Sequence, residues 1–196
     1  MNRMDVILQK QFPTVLMPKY GTLEPLRATG DRFILGADAI KMEISRPWVH
    51  AVVTLTPEGF QRPLPYGKAP ADSFKLRCGT IPWMLRDSFV NRAAQACPNE
   101  VGSWIVWNEH TREFSLLYLH AFSHGPAHLD YQCPELPEGT WLVADLHSHG
   151  SGAAFFSSKD DADDAGAVKV AMVLGRADGQ IQWALRAELL GVRVDL

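Results

Sequence analysis

Over residues 1 to about 56 the apolar positions fall in short runs, with no helical stripe. Arg32-Phe33-Ile34-Leu35, Ile40-Lys41-Met42-Glu43-Ile44 and Trp48-Val49-His50-Ala51-Val52-Val53, punctuated by Gly30 and Gly36, predict short extended pieces separated by turns. Pro57, Pro63, Pro65 and Pro70, with Gly59 and Gly67 among them, predict a stretch without regular structure, because proline lacks the N–H that helices and ladders use. A domain boundary is expected inside it, giving a small β-rich domain over residues 1–75 that ends in this linker and a larger domain over 76–196. The period then changes. Leu85, Phe89, Ala93 and Cys97 recur at every fourth position with Val90 and Ala94 beside them, an apolar helix stripe that opens at Pro82 and stops at Pro98. Val101 to Trp107 and Glu113 to Ala121 predict two strands joined by a polar turn at Asn108 to Arg112. A long loop with Gly125-Pro126, Pro134 and Pro137 follows, and Thr140 to His149 predicts a third strand. Ser157 or Ser158 opens a short helix. Val168 to Leu174 and Ile181 to Leu189 are apolar strands joined through Arg176-Ala177-Asp178-Gly179. Helix and strands alternating in this way predict one mixed sheet.

The bulk numbers narrow the chemistry. Apolar residues make up 46% and charged residues 21% of 196, a balance that supports a core without disulfides. Cys78, Cys97 and Cys133 are odd in number and lack CxxC spacing, so neither a disulfide framework nor a thiolate zinc site is expected. The first ten residues hold no apolar run long enough for a signal peptide, and no segment approaches a membrane span. A cytoplasmic setting follows as the expectation. With a net charge of −3 and scattered basic residues, no nucleic-acid footprint is visible; a protein or peptide partner is expected.

Candidate chemistry concentrates in Ala144-Asp145-Leu146-His147-Ser148-His149-Gly150. On a strand, residues two apart share a face and stand roughly 6.6 Å apart along it, so His147 and His149 can converge on one metal while Leu146 faces the core. Catalytic zinc takes three protein ligands and leaves a fourth position open. No histidine follows His149, so a third ligand downstream is a carboxylate, and Asp160, Asp161, Asp163 and Asp164 are the candidates. Ser157-Ser158-Lys159-Asp160 also reads as a helix cap favourable to the macrodipole, and the two readings are compatible. Residues 1 to about 56 show no catalytic constellation.

His147-x-His149 followed after seven residues by Ser157-x-x-Asp160 resembles the motif of the JAMM (MPN/JAB) metalloproteases, and Ala154-Phe155-Phe156-Ser157-Ser158-Lys159-Asp160 resembles the equivalent run of their deubiquitinating members. Pro98-Asn99-Glu100-Val101-Gly102 is similar to the family's Pro-x-Glu-x-x-Gly neighbourhood, with the glycine one residue early; Glu109 and Glu113 are the alternative glutamates. The resemblance covers roughly residues 80–196. It implies an α/β, JAB/MPN-like fold, a curved mixed β-sheet flanked by helices with the metal at a sheet edge. It further implies one zinc ion on His147, His149 and Asp160, Glu100 as proton shuttle between the attacking water and the leaving amine, and Ser157 as donor to the tetrahedral oxyanion. The implied activity is a zinc-dependent metallopeptidase or isopeptidase cutting after the C-terminal glycine of a ubiquitin-like protein. The alternative is a non-catalytic MPN scaffold, a class that commonly lacks ligands this chain keeps. A small domain ahead of such a catalytic domain resembles protein A of bacterial PRTRC cassettes, which implies a ThiF-like adenylyltransferase and a small ubiquitin-like protein as partners. The chain departs from the family at Gly150, where proline is usual; glycine predicts a more mobile loop.

Other signals are weaker. Asp145 shares the histidines' face and allows a three-ligand strand, which also resembles the opening of PHP-type phosphoesterases; those need further histidines downstream. His120, His124 and His128 at four-residue spacing are expected in a solvated loop, Trp104 and Trp107 in the core, and Cys97 as a buried thiol.

Overall fold

The computed structural model describes residues 2–57 and 64–196; Gly59 and Pro63 of the proline-bearing stretch lie outside them. The chain forms two compact units, Met1–Gly79 and Thr80–Leu196.

The first unit opens with helix α1 (Arg3–Gln11), where extended pieces were expected. Asn2 caps it, its side chain accepting the Met4 N–H at 2.9 Å, and Asp5 and Lys10 sit at the ends their charges favour. Strands β1 (Thr14–Leu16), β2 (Gly30–Leu35), β3 (Ile40–Ser45), β4 (Val49–Thr54) and β5 (Ser73–Leu76) follow in one sheet in that order. Val49 pairs with Leu76 and Val52 with Ser73. The proline-bearing stretch therefore joins neighbouring strands of a single sheet, and the expected boundary inside it is corrected to Gly79–Thr80. Alternation gives β3 and β4 an apolar face of Met42, Ile44, Ala51 and Val53, all buried. On the other face the buried Glu43 accepts from the Leu26 N–H at 2.7 Å, Arg32 Nε at 2.6 Å and His50 Nε2 at 2.7 Å.

The second unit contains α2 (Trp83–Ala96), β6 (Gly102–Asn108), β7 (Phe114–Tyr118), β8 (Ala121–Gly125), β9 (His128–Tyr131), β10 (Thr140–Ser148), α3 (Ser158–Asp163), β11 (Val168–Gly175), β12 (Gln182–Leu189) and β13 (Val192–Asp195). Its six-stranded mixed sheet has the order β13-β12-β11-β10-β6-β7. The α2 stripe buries Phe89 and Ala93, with the Phe89 ring 6.3 Å from that of Trp183 on β12. Within this six-stranded sheet only the pair β10–β11 is parallel. A parallel pair needs a crossover, and residues 149–167, with α3, are that crossover. The loop expected after β7 instead holds the hairpin β8–β9, turned at Gly125-Pro126. Tyr131 and Leu136 from this segment pack with Leu142 against Trp104, Val106 and Leu119. Apolar burial thus orders a stretch whose prolines pointed to a loop. Among the described residues no helix is long and apolar enough to cross a membrane.

Candidate metal centre

The end of β10 and the start of α3 place three side chains around one point. His147 Nε2 lies 3.2 Å from His149 Nε2 and 3.4 Å from Asp160 Oδ1, and the three ligand atoms all fall within 4.8 Å of one another. Atoms bound about 2.0–2.2 Å from a common ion at the tetrahedral angle stand about 3.3–3.5 Å apart, so two edges of the triangle already match zinc coordination. β10 lies inside the sheet between β6 and β11, so the centre is at the edge formed by the carboxyl end of an interior strand.

Hydrogen bonds aim each of the outer ligands. His149 Nδ1 donates to the Ala153 carbonyl at 3.1 Å, which leaves Nε2 with its lone pair toward the centre. Phe155 packs edge-on against the His149 ring, centroids 4.6 Å apart. Asp160 Oδ2 accepts from the Ser157 N–H at 2.6 Å and the Ser157 hydroxyl at 2.7 Å, while Ser157 Oγ accepts from the Asp160 N–H at 3.2 Å. This capping box holds Oδ2 and frees Oδ1 for the centre, so the cap and the ligand are one arrangement. Burial holds the His147 imidazole below its usual range, against the opposing charge of Asp160. Burial pushes Asp160 upward, but His147 and the Ser157 hydrogen bonds outweigh it and the carboxyl sits low. A neutral imidazole and an ionised carboxylate are the forms a divalent ion requires.

Glu100 is 8% exposed and lines the same cavity of about 670 Å³ as His147, Ser157 and Asp160. Burial raises its carboxyl, His149 opposes, and Asp160 adds to the rise. Glu109 and Glu113 stand beyond the opposite end of β6, about 23 Å of extended chain away; Glu109 accepts from Trp141 Nε1 at 3.2 Å. The Glu100 N–H donates to the Gly125 carbonyl at 2.9 Å, and the next residue, Val101, is tied to the histidine strand by Ser148, a residue unmarked in the sequence analysis. Its N–H donates to the Val101 carbonyl at 3.0 Å, and its buried hydroxyl accepts the Val101 N–H at 3.1 Å. The serine between two candidate ligands was the available signal.

Gly150 corrects the expectation of a mobile loop. It is buried at φ +52°, and a Cβ there would stand 2.1 Å from the Pro98 carbonyl oxygen. Gly152 N–H donates to the His149 carbonyl, Ala177 N–H to the Gly150 carbonyl and Arg176 N–H to the Gly152 carbonyl, all at 2.7–2.8 Å. Gly175, at the end of β11, admits the same loop so closely that a Cβ would meet Ala154 N at 2.2 Å.

The remaining candidates are placed elsewhere. Asp145 is bound to Lys169 Nζ at 2.7 Å and stands outside the ligand triangle. Asp161 and Asp164 pair with Arg186. His120, His124 and His128 are exposed, as expected, but His124 and His128 lie on the β8–β9 hairpin and not in a loop, with His128 Nε2 3.1 Å from Ser123 Oγ. Trp104 and Trp107 are buried, as expected. Cys97 is only half-buried, its Sγ 3.2 Å from Ser151 Oγ, because it caps α2 at the unit's surface.

None of the curated proteins matches the chain. Among solved structures, the solution structure of protein DSY2949 from Desulfitobacterium hafniense is similar at 14% identity and a TM-score of 0.44, covering 58% of this chain and 86% of that one. Residues 2–77 match a domain of unknown function, DUF2016. Residues 84–186, just over half of the chain, match the model for prokaryotic homologs of the JAB domain, and it is to this family that the chain belongs.

Proposed function

We propose that this chain is a zinc-dependent metallopeptidase or isopeptidase that hydrolyses the amide bond after the C-terminal glycine of a ubiquitin-like protein. The observation that carries the reading is the convergence of His147 Nε2, His149 Nε2 and Asp160 Oδ1 within 4.8 Å of one another, with His147 and Asp160 lining one cavity with the buried Glu100. Zinc held by these three residues would supply Lewis acidity, enough to make hydroxide available from water at neutral pH.

The chain's own residues supply the rest. Glu100, raised by burial toward the working range of a proton shuttle, takes the proton of the attacking water and returns it to the departing amine. Ser157 first steadies Asp160; because its N–H also binds Oδ2, the carboxylate stays held when the hydroxyl turns to the oxyanion. A fixed donor at that point is worth about 3 kcal/mol. A cavity of about 670 Å³ falls within the ordinary size of a ligand site, roughly 300–1,000 Å³. Phe122 and Leu129 on the hairpin offer apolar contacts for a chain lying across it. A small ubiquitin-like protein is the proposed substrate, with a ThiF-like adenylyltransferase as the activity that would prepare it.

Metal analysis of the purified chain beside His149→Ala, with cleavage of a ubiquitin-like protein carrying a C-terminal extension, tests the reading. About one zinc per chain is expected in the wild type and in Glu100→Gln, with cleavage abolished in the latter. Undiminished turnover in Glu100→Gln removes Glu100 from the reaction. A wild type that takes up no metal and cuts nothing is a scaffold.

A further inference from the structure

Helix α3 carries Asp160, yet nothing apolar fastens it. Its six residues, Ser-Lys-Asp-Asp-Ala-Asp, bury no side chain. So short a helix has no stability of its own in water. What joins it to the sheet is a chain of ion pairs. Asp164, the buried residue that ends the helix, gives Oδ1 to Lys169 Nζ on β11 at 2.6 Å and Oδ2 to Arg186 Nη2 on β12 at 3.0 Å. Asp161 Oδ1 meets Arg186 Nη1 at 2.6 Å, and its Oδ2 meets Arg193 Nη1 at 3.1 Å. Arg186 also pairs with the fully buried Glu188 and lies over the Phe156 ring, 3.8 Å from its centroid, immediately before the Ser157 cap. Lys169 closes the circuit: its second partner is Asp145 Oδ2 at 2.7 Å, two residues before His147 on the same face of β10.

We propose that Lys169 and Arg186 are positioning residues for the metal centre, tying the helix that supplies Asp160 to the strand that supplies His147. The inference rests on the metal-centre reading and adds to it the source of the third ligand's placement. The physical reason is the composition of α3. With no apolar face to seat it, α3 depends for its placement beyond the Ser157 cap on charge-assisted hydrogen bonds, which are directional and strongest where burial excludes water. Lys169 and Arg186 are both largely buried, so their pairs escape the screening that weakens surface ion pairs. Removing one cation leaves α3 intact at its Ser157 cap but loose at its far end, and Asp160 sits between the two.

The experiment measures zinc affinity of the full-length chain by competition with a chromophoric chelator, and records the visible spectrum of the cobalt(II)-loaded protein as a report on four-coordinate geometry. Lys169→Met is expected to weaken zinc binding by roughly 10- to 100-fold, the range seen when outer partners of metal ligands are removed, and to diminish the cobalt absorption. Asp161→Asn, altered at the more exposed end of the network, is expected to lose roughly tenfold while the metal-free protein melts as the wild type does. If Lys169→Met does not fold, Asp161→Asn decides. Wild-type zinc affinity with an unchanged cobalt spectrum in the folded variants overturns the proposal. A wild type that binds neither metal is a different failure, seen before any variant is compared, and removes the metal-centre reading together with this inference.

Discussion

Replacing Gly150 by alanine tests whether the loop behind His149 is held in place or free. At φ +52° an L-residue meets its own following carbonyl, which costs about 1–2 kcal/mol. The new Cβ would stand 2.1 Å from the Pro98 carbonyl oxygen and 2.8 Å from its carbon, backbone atoms that cannot swing aside. Forcing a methyl into a filled site typically costs about 1–3 kcal/mol more. The expected destabilisation is therefore about 2–5 kcal/mol, together with weaker zinc binding, since His149 and its partner Ala153 both belong to the displaced loop. Gly166 provides the control. It has φ +82° with nothing within 4 Å of an added Cβ, so Gly166→Ala carries the conformational cost alone, about 1–2 kcal/mol. Urea unfolding followed by tryptophan fluorescence suits the comparison, because five of the six tryptophans lie in Thr80–Leu196. Equal midpoints for the two alanine variants, with unchanged zinc affinity at Gly150→Ala, would refute the claim that the Pro98 contact fixes this loop. The same geometry makes proline at position 150 inadmissible here, since proline requires φ near −65°.

Two further predictions concern residues the motif does not contain. Ser148→Ala strips the buried Val101 N–H of its acceptor, which costs about 1–3 kcal/mol; in a cleavage assay kcat is expected to fall with KM little changed, and a wild-type kcat would show that Ser148 does not place Glu100. In the first unit, burial pushes Glu43 upward, but the Leu26 N–H, His50 and Arg32 outweigh it, so its folded value lies below the ordinary one. A depressed carboxyl stabilises the fold above its unfolded value and loses that contribution as pH falls through the folded one. Hydrogen-exchange protection of β3 and β4 should accordingly drop steeply below about pH 4.3, and Glu43→Gln should be less protected at neutral pH with a flatter acid limb. A Glu43→Gln profile parallel to the wild type would assign the acid sensitivity to another group.

Much of this architecture is local and could be read from the chain. The every-fourth-residue stripe from Leu85 to Ala93 is a helix in the structure, and the runs at Arg32, Ile40 and Trp48 are strands, because side-chain period follows backbone geometry at short range. His147-x-His149 and Ser157-x-x-Asp160 are likewise local: two on one strand face, two in one capping box. Tertiary structure alone decided what meets across the sequence. The antiparallel register of β6 on β10 brings Glu100, and neither Glu109 nor Glu113, to the histidines. The parallel crossover lays α3 on β11 and β12, so that Lys169 and Arg186, ordinary strand cations in the sequence, pair with Asp164 at the end of the helix that carries Asp160. The close approach of Gly150 to Pro98 turned an apparent lapse from the family pattern into a requirement of packing. Period and spacing are properties of neighbours along the chain, whereas register, crossover and close contact depend on which distant segments share a core, and the chain carries no short-range mark of that.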